Sequence, residues 1–355
     1  MGASGDFNVT RATTATRVNA SGLVESVASG IPRLDYPLGG GCPALLVEAA
    51  ATNLALHSRD LSNVVWVKTS ITAAKNAVGA DGTASGATTL TATAVSGTVL
   101  QALVNVSQSR VFSAYIRRVT GTGAIQLTTN GGTNWTTVTI TSGYTQVACA
   151  AQTVLNGSVG IRMAVSGDVI EVDFTQGEVG PVATSPIATT AGTGSRNADV
   201  ITLSGAVSGC IGQTEGTIYA EVDFRSPTNA GAIIQLDSGD STNRVFIGAG
   251  ATINIGCISG GSSYTLPVTG SYLTGVNKIA VVYGSSNFTA YLNGVQIGSA
   301  TPTAGTFPTN LLTQFNVGSR ISAGVRGAFL NDRIRSLALY TTRLTNAELA
   351  ALTTL

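Results

Sequence analysis

The chain has 355 residues, 43 of them glycine, with 19 basic and 18 acidic side chains and a formal net charge of +1. A near-neutral balance without a basic cluster excludes a nucleic-acid partner, whose phosphates demand concentrated Lys and Arg. No apolar run approaches the roughly 18–20 residues a bilayer-spanning helix needs, so membrane insertion is excluded as well. Thr, Val and Ile suit pleated sheets, while Lys and Glu, the common helix-surface residues, are scarce, so an all-β protein is expected. The opening MGASGDFNVT carries neither the basic nor the apolar region of a secretory signal, and folding in a cytoplasm is expected. Cys42, Cys149, Cys210 and Cys257 are scattered and form no CxxC. Pairings Cys42–Cys149 or Cys210–Cys257 are open to them, but reduced thiols suit a reducing compartment better.

In chain order, residues 1–53 form a leader with short strand-like pieces at Phe7–Arg11, Ala15–Val18 and Leu23–Ala28. A Gly/Pro-rich loop at Tyr36–Pro43 leads into Ala44–Glu48. This segment is too short and too poor in large apolar residues to hold a core alone, so it must pack on another domain or another chain. Residues 54–188 read as a first sandwich, with strands at Thr88–Thr93, Thr98–Val106, Val111–Val119, Ala124–Thr129, Thr136–Thr141, Gln146–Gln152, Val159–Val165 and Val169–Phe174. Their turn-broken spacing predicts a jelly-roll type of antiparallel sandwich. Ile170, Val172 and Phe174 alternate with Glu171 and Asp173, which predicts a closing strand whose two acids face water.

A Gly/Pro/Ala/Thr connector follows, and a second strand opens at Asp199–Leu203. Residues 189–355 then read as a second antiparallel sandwich. Thr217–Arg225 alternates cleanly, with Ile218, Ala220, Val222 and Phe224 inward. Asn293-Gly294 between Phe288–Leu292 and Val295–Ile297 is a strong hairpin signal. Thr345 and Glu348 form a capping box for a short C-terminal helix.

Three resemblances build on these residues. The run Phe7-x-Val9-Thr10-Arg11-Ala12-Thr13-x-Ala15-Thr16-Arg17-Val18-Asn19-Ala20-x-Gly22-Leu23 resembles a leader of tailed-bacteriophage and prophage structural proteins. Pro32-Arg33-Leu34-Asp35-Tyr36, Leu45-Leu46-Val47-Glu48 and Thr52-Asn53-Leu54 continue that likeness. The end of the first sandwich, Phe174-Thr175-Gln176-x-Glu178-x-Gly180 with Ala183-Thr184-Ser185-Pro186-Ile187, resembles the last strand of carbohydrate-binding, galactose-binding-like modules, with Pro186 where an aromatic commonly stands. The set Lys278–Tyr283, Tyr291-Leu292-Asn293-Gly294, Asn316-Val317-Gly318 and Ile334–Leu349 is similar to a laminin G-like, concanavalin A-like domain.

What these resemblances imply is a non-enzymatic virion subunit, a fibre, spike or decoration protein on tail or capsid. It would fold in the host cytoplasm and then join the virion through its leader, with Phe7, Arg11, Arg17, Arg33 and Tyr36 as docking residues. Partners would be other virion proteins, further copies of the chain (a trimer favoured) and a host surface glycan.

Sugar recognition calls for exposed aromatics that stack on pyranose faces, and the candidates are Trp135, Tyr144, Tyr264 and Tyr272; Trp66 reads as structural. No cofactor is implied. Asp237 and Asp240 could contribute oxygens to Ca²⁺, but the six to eight ligands that ion takes cannot be assembled from the sequence. The motif Glu-Val-Asp-Phe occurs at Glu171–Phe174 and at Glu221–Phe224, placing two carboxylates on one strand face as paired-acid glycanases do. A depolymerase using Glu221 and Asp223 is therefore the alternative, although the further Glu of such motifs is missing. His57, the single histidine, has no nucleophile elbow to serve.

Overall fold

In the computed structural model the described residues are 8–37, 41–103, 107–204, 209–226, 231–322 and 325–355. They form an all-β protein of antiparallel sheets, with one helix at Asn346–Thr353. No helix among the described residues is long and apolar enough to cross a membrane.

The first sandwich faces a five-stranded sheet against a second, larger one. The former runs Thr136–Val138, Ile125–Thr128, Ser158–Met163, Gly97–Ala102, Val67–Thr69. The latter runs Thr145–Ala148, Gln108–Thr120, Val169–Val179, Ala87–Ala92, Ile71–Ala77, with Gln152–Val154 also on Gln108–Thr120. Trp66, Leu90, Phe112, Ile116, Ile161 and Val172 fill the space between them. Each such side chain, fully buried, contributes about 1.5–3 kcal/mol of hydrophobic stabilisation. Trp66 is structural, its indole N–H donating to the Leu56 carbonyl (3.1 Å).

Two seven-stranded sheets form the second sandwich, and the leader supplies strands to both. The front sheet runs Asn8–Thr10, Val200–Ser204, Gln314–Val317, Gly231–Asp237, Arg244–Ala249, Asn254–Ser259, Ser262–Thr265. The back sheet runs Val295–Ala300, Phe288–Leu292, Gly275–Gly284, Glu215–Phe224, Asp332–Tyr340, Ala44–Val47, Arg33–Asp35. Ile218, Val222, Phe224, Ile234, Leu236, Val245, Ile247, Phe315 and Val317 meet in its core, joined by Val47 from the leader. The C-terminal helix begins at the expected capping box and lays Leu349 on Tyr219, Ala280, Val282 and Tyr291 of the back sheet's outer face.

The closing strand of the first sandwich departs from its sequence reading. Ser113 pairs with Gln176 and Tyr115 with Asp173, so Ala114 opposes both Phe174 and Thr175 in a bulge. Phe174 sits at φ 45°, an uncommon conformation for an aromatic residue. The bulge swings Phe174 out of the core row of Ile170 and Val172 and against Tyr115, Val24 and Ala80. Asp173 is consequently not on a wet face: it is fully buried and takes Arg59 on both oxygens (2.8 and 2.9 Å) and the Ala80 N–H (2.8 Å). Glu171 is the half-buried partner of Arg117.

Beyond the bulge the strand presents Gln176 and Glu178 to the connector, where Thr184 donates to Glu178 through its N–H and hydroxyl and Gln176 donates to the Ser185 carbonyl. Here the leader, the connector and both sandwiches meet around a buried ion network. Glu48 accepts from Arg33 (2.8 Å), Arg196 (3.0 Å) and Arg225 (3.3 Å), and from the Ser185 N–H (2.9 Å). Asp199 takes Arg11 (2.6 Å) and Arg33. Burial opposes the charge on Glu48, but Arg196, Arg33 and Arg225 hold its carboxyl well below the usual carboxylate range.

Candidate functional site

The residues proposed from sequence scatter over the molecule. Phe7 lies outside the described residues. Arg11 and Arg33 are 2% and 1% exposed and bind the chain's own carboxylates, which corrects the expectation that they dock a partner. Arg17 pairs with Glu25 across the leader hairpin (2.6 Å), and Tyr36 is half-buried. Tyr272 is another correction: it is 4% exposed and packs on Phe224 in the core, because the loop before Gly275–Gly284 folds inward. Tyr264 pairs with Cys257, whose row faces the core, and meets Phe288 at 5.9 Å, so it offers no stacking platform either. Trp135 and Tyr144 are half-buried, and each has a ring face covered by an arginine, Arg162 at 4.6 Å and Arg117 at 4.7 Å.

The two candidate calcium ligands are occupied differently from the expectation. Asp240 accepts from the Ser238 and Thr242 hydroxyls (2.9 and 2.8 Å) within its own turn. No group of three or more His, Cys, Asp or Glu side chains gathers anywhere among the described residues. Glu221 accepts from the Tyr219 hydroxyl (3.4 Å) and Asp223 from Arg335 (3.4 Å), both on the back sheet. His57 sits at φ 48° with its N–H on the Thr190 carbonyl (2.8 Å), a turn residue.

Asp237 belongs to something more organised, on the front sheet's outer face. Ile234 and Leu236 point into the core, so Gln235 and Asp237 point away from it. Their neighbours across the ladder are Asn316 on one side and Phe246 and Arg244 on the other. Asn316 and Gln235 both donate to one Asp237 oxygen (2.5 and 2.6 Å), and the Gly239 N–H donates to the other (2.8 Å). Burial pushes the Asp237 carboxyl up against those hydrogen bonds.

The hairpin Arg320–Ser322 with Val325–Gly327 overhangs this row. From it Arg326 donates to Asn316 (2.8 Å), and the Ile321 carbonyl accepts from Arg244 (2.5 Å). Arg244 also lies 5.7 Å from the centre of the Phe246 ring, and burial together with Arg320 lowers its pKa. Farther along this face, Gly248 and its ladder partner Asn254 on the next strand open with Arg320 onto a cavity of about 210 Å³.

Two atoms of this row are buried without a hydrogen-bond partner among the described residues: the acceptor Gln235 Oε1 and the donor Nε–H of Arg244. An unpaired buried polar atom costs about 1–3 kcal/mol, so their juxtaposition on adjacent strands has the chemistry of a hydrogen-bonding site. Sequence reading singled out Asp237 alone. The signal for the rest was the polar alternation Gln235, Asp237 through an apolar strand and the Arg244-Val245-Phe246-Ile247 alternation beside it.

Residues 194–350 match the family described as the concanavalin A-like lectin/glucanases superfamily, and the second sandwich is accordingly a concanavalin A-like, laminin G-like domain. Similar solved structures include a Ruminococcus gnavus IT-sialidase CBM40 at 17% identity, covering 42% of this chain and 86% of that one, with a TM-score of 0.35. A leech intramolecular trans-sialidase matches at 18% identity over 42% of this chain and 24% of that chain, TM-score 0.36. A SAP-like pentraxin from Limulus polyphemus matches at 14% identity over 38% and 68%, TM-score 0.32. No curated protein matches the chain significantly.

Proposed function

We propose that this chain is a non-enzymatic structural component of a tailed-phage virion that displays a glycan-binding face on its second sandwich. The observation that carries the binding reading is the polar row of Gln235, Asp237, Asn316 and Arg244 beside Phe246 on the front sheet's outer face, together with the cavity of about 210 Å³ lined by Gly248, Asn254 and Arg320 farther along that face. An acceptor, a donor and an apolar ring at adjacent ladder positions suit the hydroxyls and C–H faces of a sugar. The family match over this sandwich supports the same ligand class. The virion reading rests on the leader's resemblance to phage structural proteins, which also supports virion partners and assembly into a homo-oligomer, a trimer favoured.

A glycan array probed with the full chain tests the binding half. At least one glycan should bind, and both Gln235→Ala and Arg244→Ala should weaken it roughly tenfold, the loss of about 1.4 kcal/mol of hydrogen bonding. An array without a hit, or binding indifferent to both changes, overturns it. Mass spectrometry of purified particles tests the virion half, and absence of the chain from them refutes it. Cleavage of a host polysaccharide that disappears in the Glu221→Gln/Asp223→Asn double variant would establish the depolymerase reading instead.

A further inference from the structure

A second cleft lies where the leader, the first sandwich and the back sheet meet. It encloses about 250 Å³ and is walled by Tyr36, Tyr115, Gln146, Asp223 and Arg333. Tyr115 is 4% exposed, its ring set edge-on to Phe174 at 6.2 Å. The charges that bear on its phenol are those of Asp35, Arg333, Arg225 and Glu48, so its oxygen end is directed to this junction. Yet its hydroxyl makes no hydrogen bond with any described residue, and neither does that of Tyr36.

The other polar groups of the cleft leave mainly acceptors free. Gln146 uses its amide N–H₂ on the Thr184 carbonyl (2.7 Å) and keeps its oxygen unengaged. Asp223, half-buried, has one long contact, to Arg335 at 3.4 Å. The cations, in contrast, are spent: Arg333 on Asp35 (2.6 Å), Arg225 on Asp332 (3.2 Å) and Glu48 (3.3 Å). Among the described residues that line the cleft no positive charge is left free for an anionic ligand, whereas a ligand rich in O–H donors would satisfy the carboxylate, the amide oxygen and both phenols. The volume lies below the range of about 300–1,000 Å³ typical of drug-sized ligands, which limits the occupant to a single small ring. Gln146 and Arg225 also line an adjoining depression of about 470 Å³ walled by Ala148, Pro181 and Val182, leaving room for further units of a chain.

We propose that this junction cleft is a second carbohydrate site, separate from the front-sheet face, that takes one neutral pyranose ring through Tyr36, Tyr115, Gln146 and Asp223. Saturation-transfer NMR and calorimetry on the full chain, with glucose, galactose, mannose and N-acetylglucosamine as probes and N-acetylneuraminic acid as the anionic comparison, test it. Tyr115→Phe removes only an unpaired hydroxyl and Asp223→Asn only a loosely held charge, so both variants should keep the wild-type melting temperature. At least one neutral sugar should bind, with affinity falling roughly tenfold in each of the two variants and unchanged in Gln235→Ala. Binding lost in Gln235→Ala but retained in the junction variants would assign the sugar to the front sheet and overturn the second site. No neutral sugar bound, or a site that takes only the anionic sugar, overturns it equally.

Discussion

Replacing Glu48 by Gln probes the junction most directly, because the change keeps the side chain's shape and removes one buried charge. Glu48 is fully buried and is the common acceptor of Arg33, Arg196 and Arg225, contributed by the leader, the connector and the back sheet's end. Breaking a buried ion pair by neutralising one partner costs about 3–5 kcal/mol, since the other charge is left uncompensated. At a urea m-value near 3 kcal/mol/M the unfolding midpoint should fall by about 1–1.7 M. Both tryptophans, Trp66 and Trp135, lie in the first sandwich, so fluorescence reads whether a change in the leader destabilises that distant module. The pH dependence supplies the second readout. With a folded pKa below the unfolded one, Glu48 contributes fully above about pH 4.5 and loses its contribution as pH falls through the folded value, and Glu48→Gln should remove that acid-side slope. A midpoint within about 0.3 M of wild type, or an unchanged acid slope, would refute the reasoning.

Asp332 should behave in the opposite sense. Burial outweighs its pairing with Arg225 and pushes its carboxyl up to about 6, so between about pH 4 and 6 the folded state holds the extra proton and stability falls as pH rises; Asp332→Asn should remove that decline in urea titrations. Cys42 and Cys210 are exposed while Cys149 and Cys257 are buried, and burial pushes the Cys257 thiol up to about 11. An aromatic disulfide reagent should therefore label two of the four thiols in the folded chain and the rest only in urea, and four fast thiols would contradict this packing. Thr345→Ala removes the hydroxyl that caps the C-terminal helix and should cost about 1 kcal/mol. Amide exchange over Ala347–Leu352 should then accelerate several-fold, and unchanged protection would show that packing of Leu349, not the cap, holds the helix.

What the sequence made legible is the structure whose signal is local. Thr217–Phe224 alternates as expected with Ile218, Ala220, Val222 and Phe224 inward. Asn293 and Gly294 adopt the positive φ of 49° and 84° that such a hairpin requires, and Thr345 and Glu348 cap each other. The leader was opaque for a physical reason: strands of three or four residues carry no register of their own, and their partners lie far along the chain, Val9 against Ile201 and Leu46 against Arg333. The bulge at Phe174 was equally hidden, because a period of two has no symptom of one inserted residue until the partner strand is known. That single insertion converts Asp173 from an apparent surface acid into the buried partner of Arg59. Arg33 misled by its neighbourhood; in Pro-Arg-Leu-Asp-Tyr it reads as an exposed docking cation, and only the fold reveals four acceptors closing on it. The front-sheet row failed to declare itself because Gln235, Arg244 and Asn316 are brought together by ladder pairing rather than by spacing.

These pairings make sequence contiguity a poor guide to the folding unit at the C-terminal end. A fragment cut at residue 189 would contain most of both sheets yet lack Asn8–Thr10 from the front and Ala44–Val47 and Arg33–Asp35 from the back. The loss falls on the core as well as the edges, for Val47 is fully buried among the residues of the second sandwich and its side chain meets the position where Gly318 has no Cβ. Without it the strand Asp332–Tyr340 would become an open edge, and Ile334, 2% exposed in the whole chain, would face solvent or another molecule. Asp199 would at the same time lose Arg11 and Arg33, leaving Arg196, buried, and Arg225, half-buried, without their shared carboxylate Glu48. Residues 189–355 expressed alone should therefore aggregate or melt without a cooperative transition, whereas co-expression with residues 1–53 should restore a soluble complex. A soluble fragment with a sharp melt would show that the leader strands are additions to a sandwich already complete.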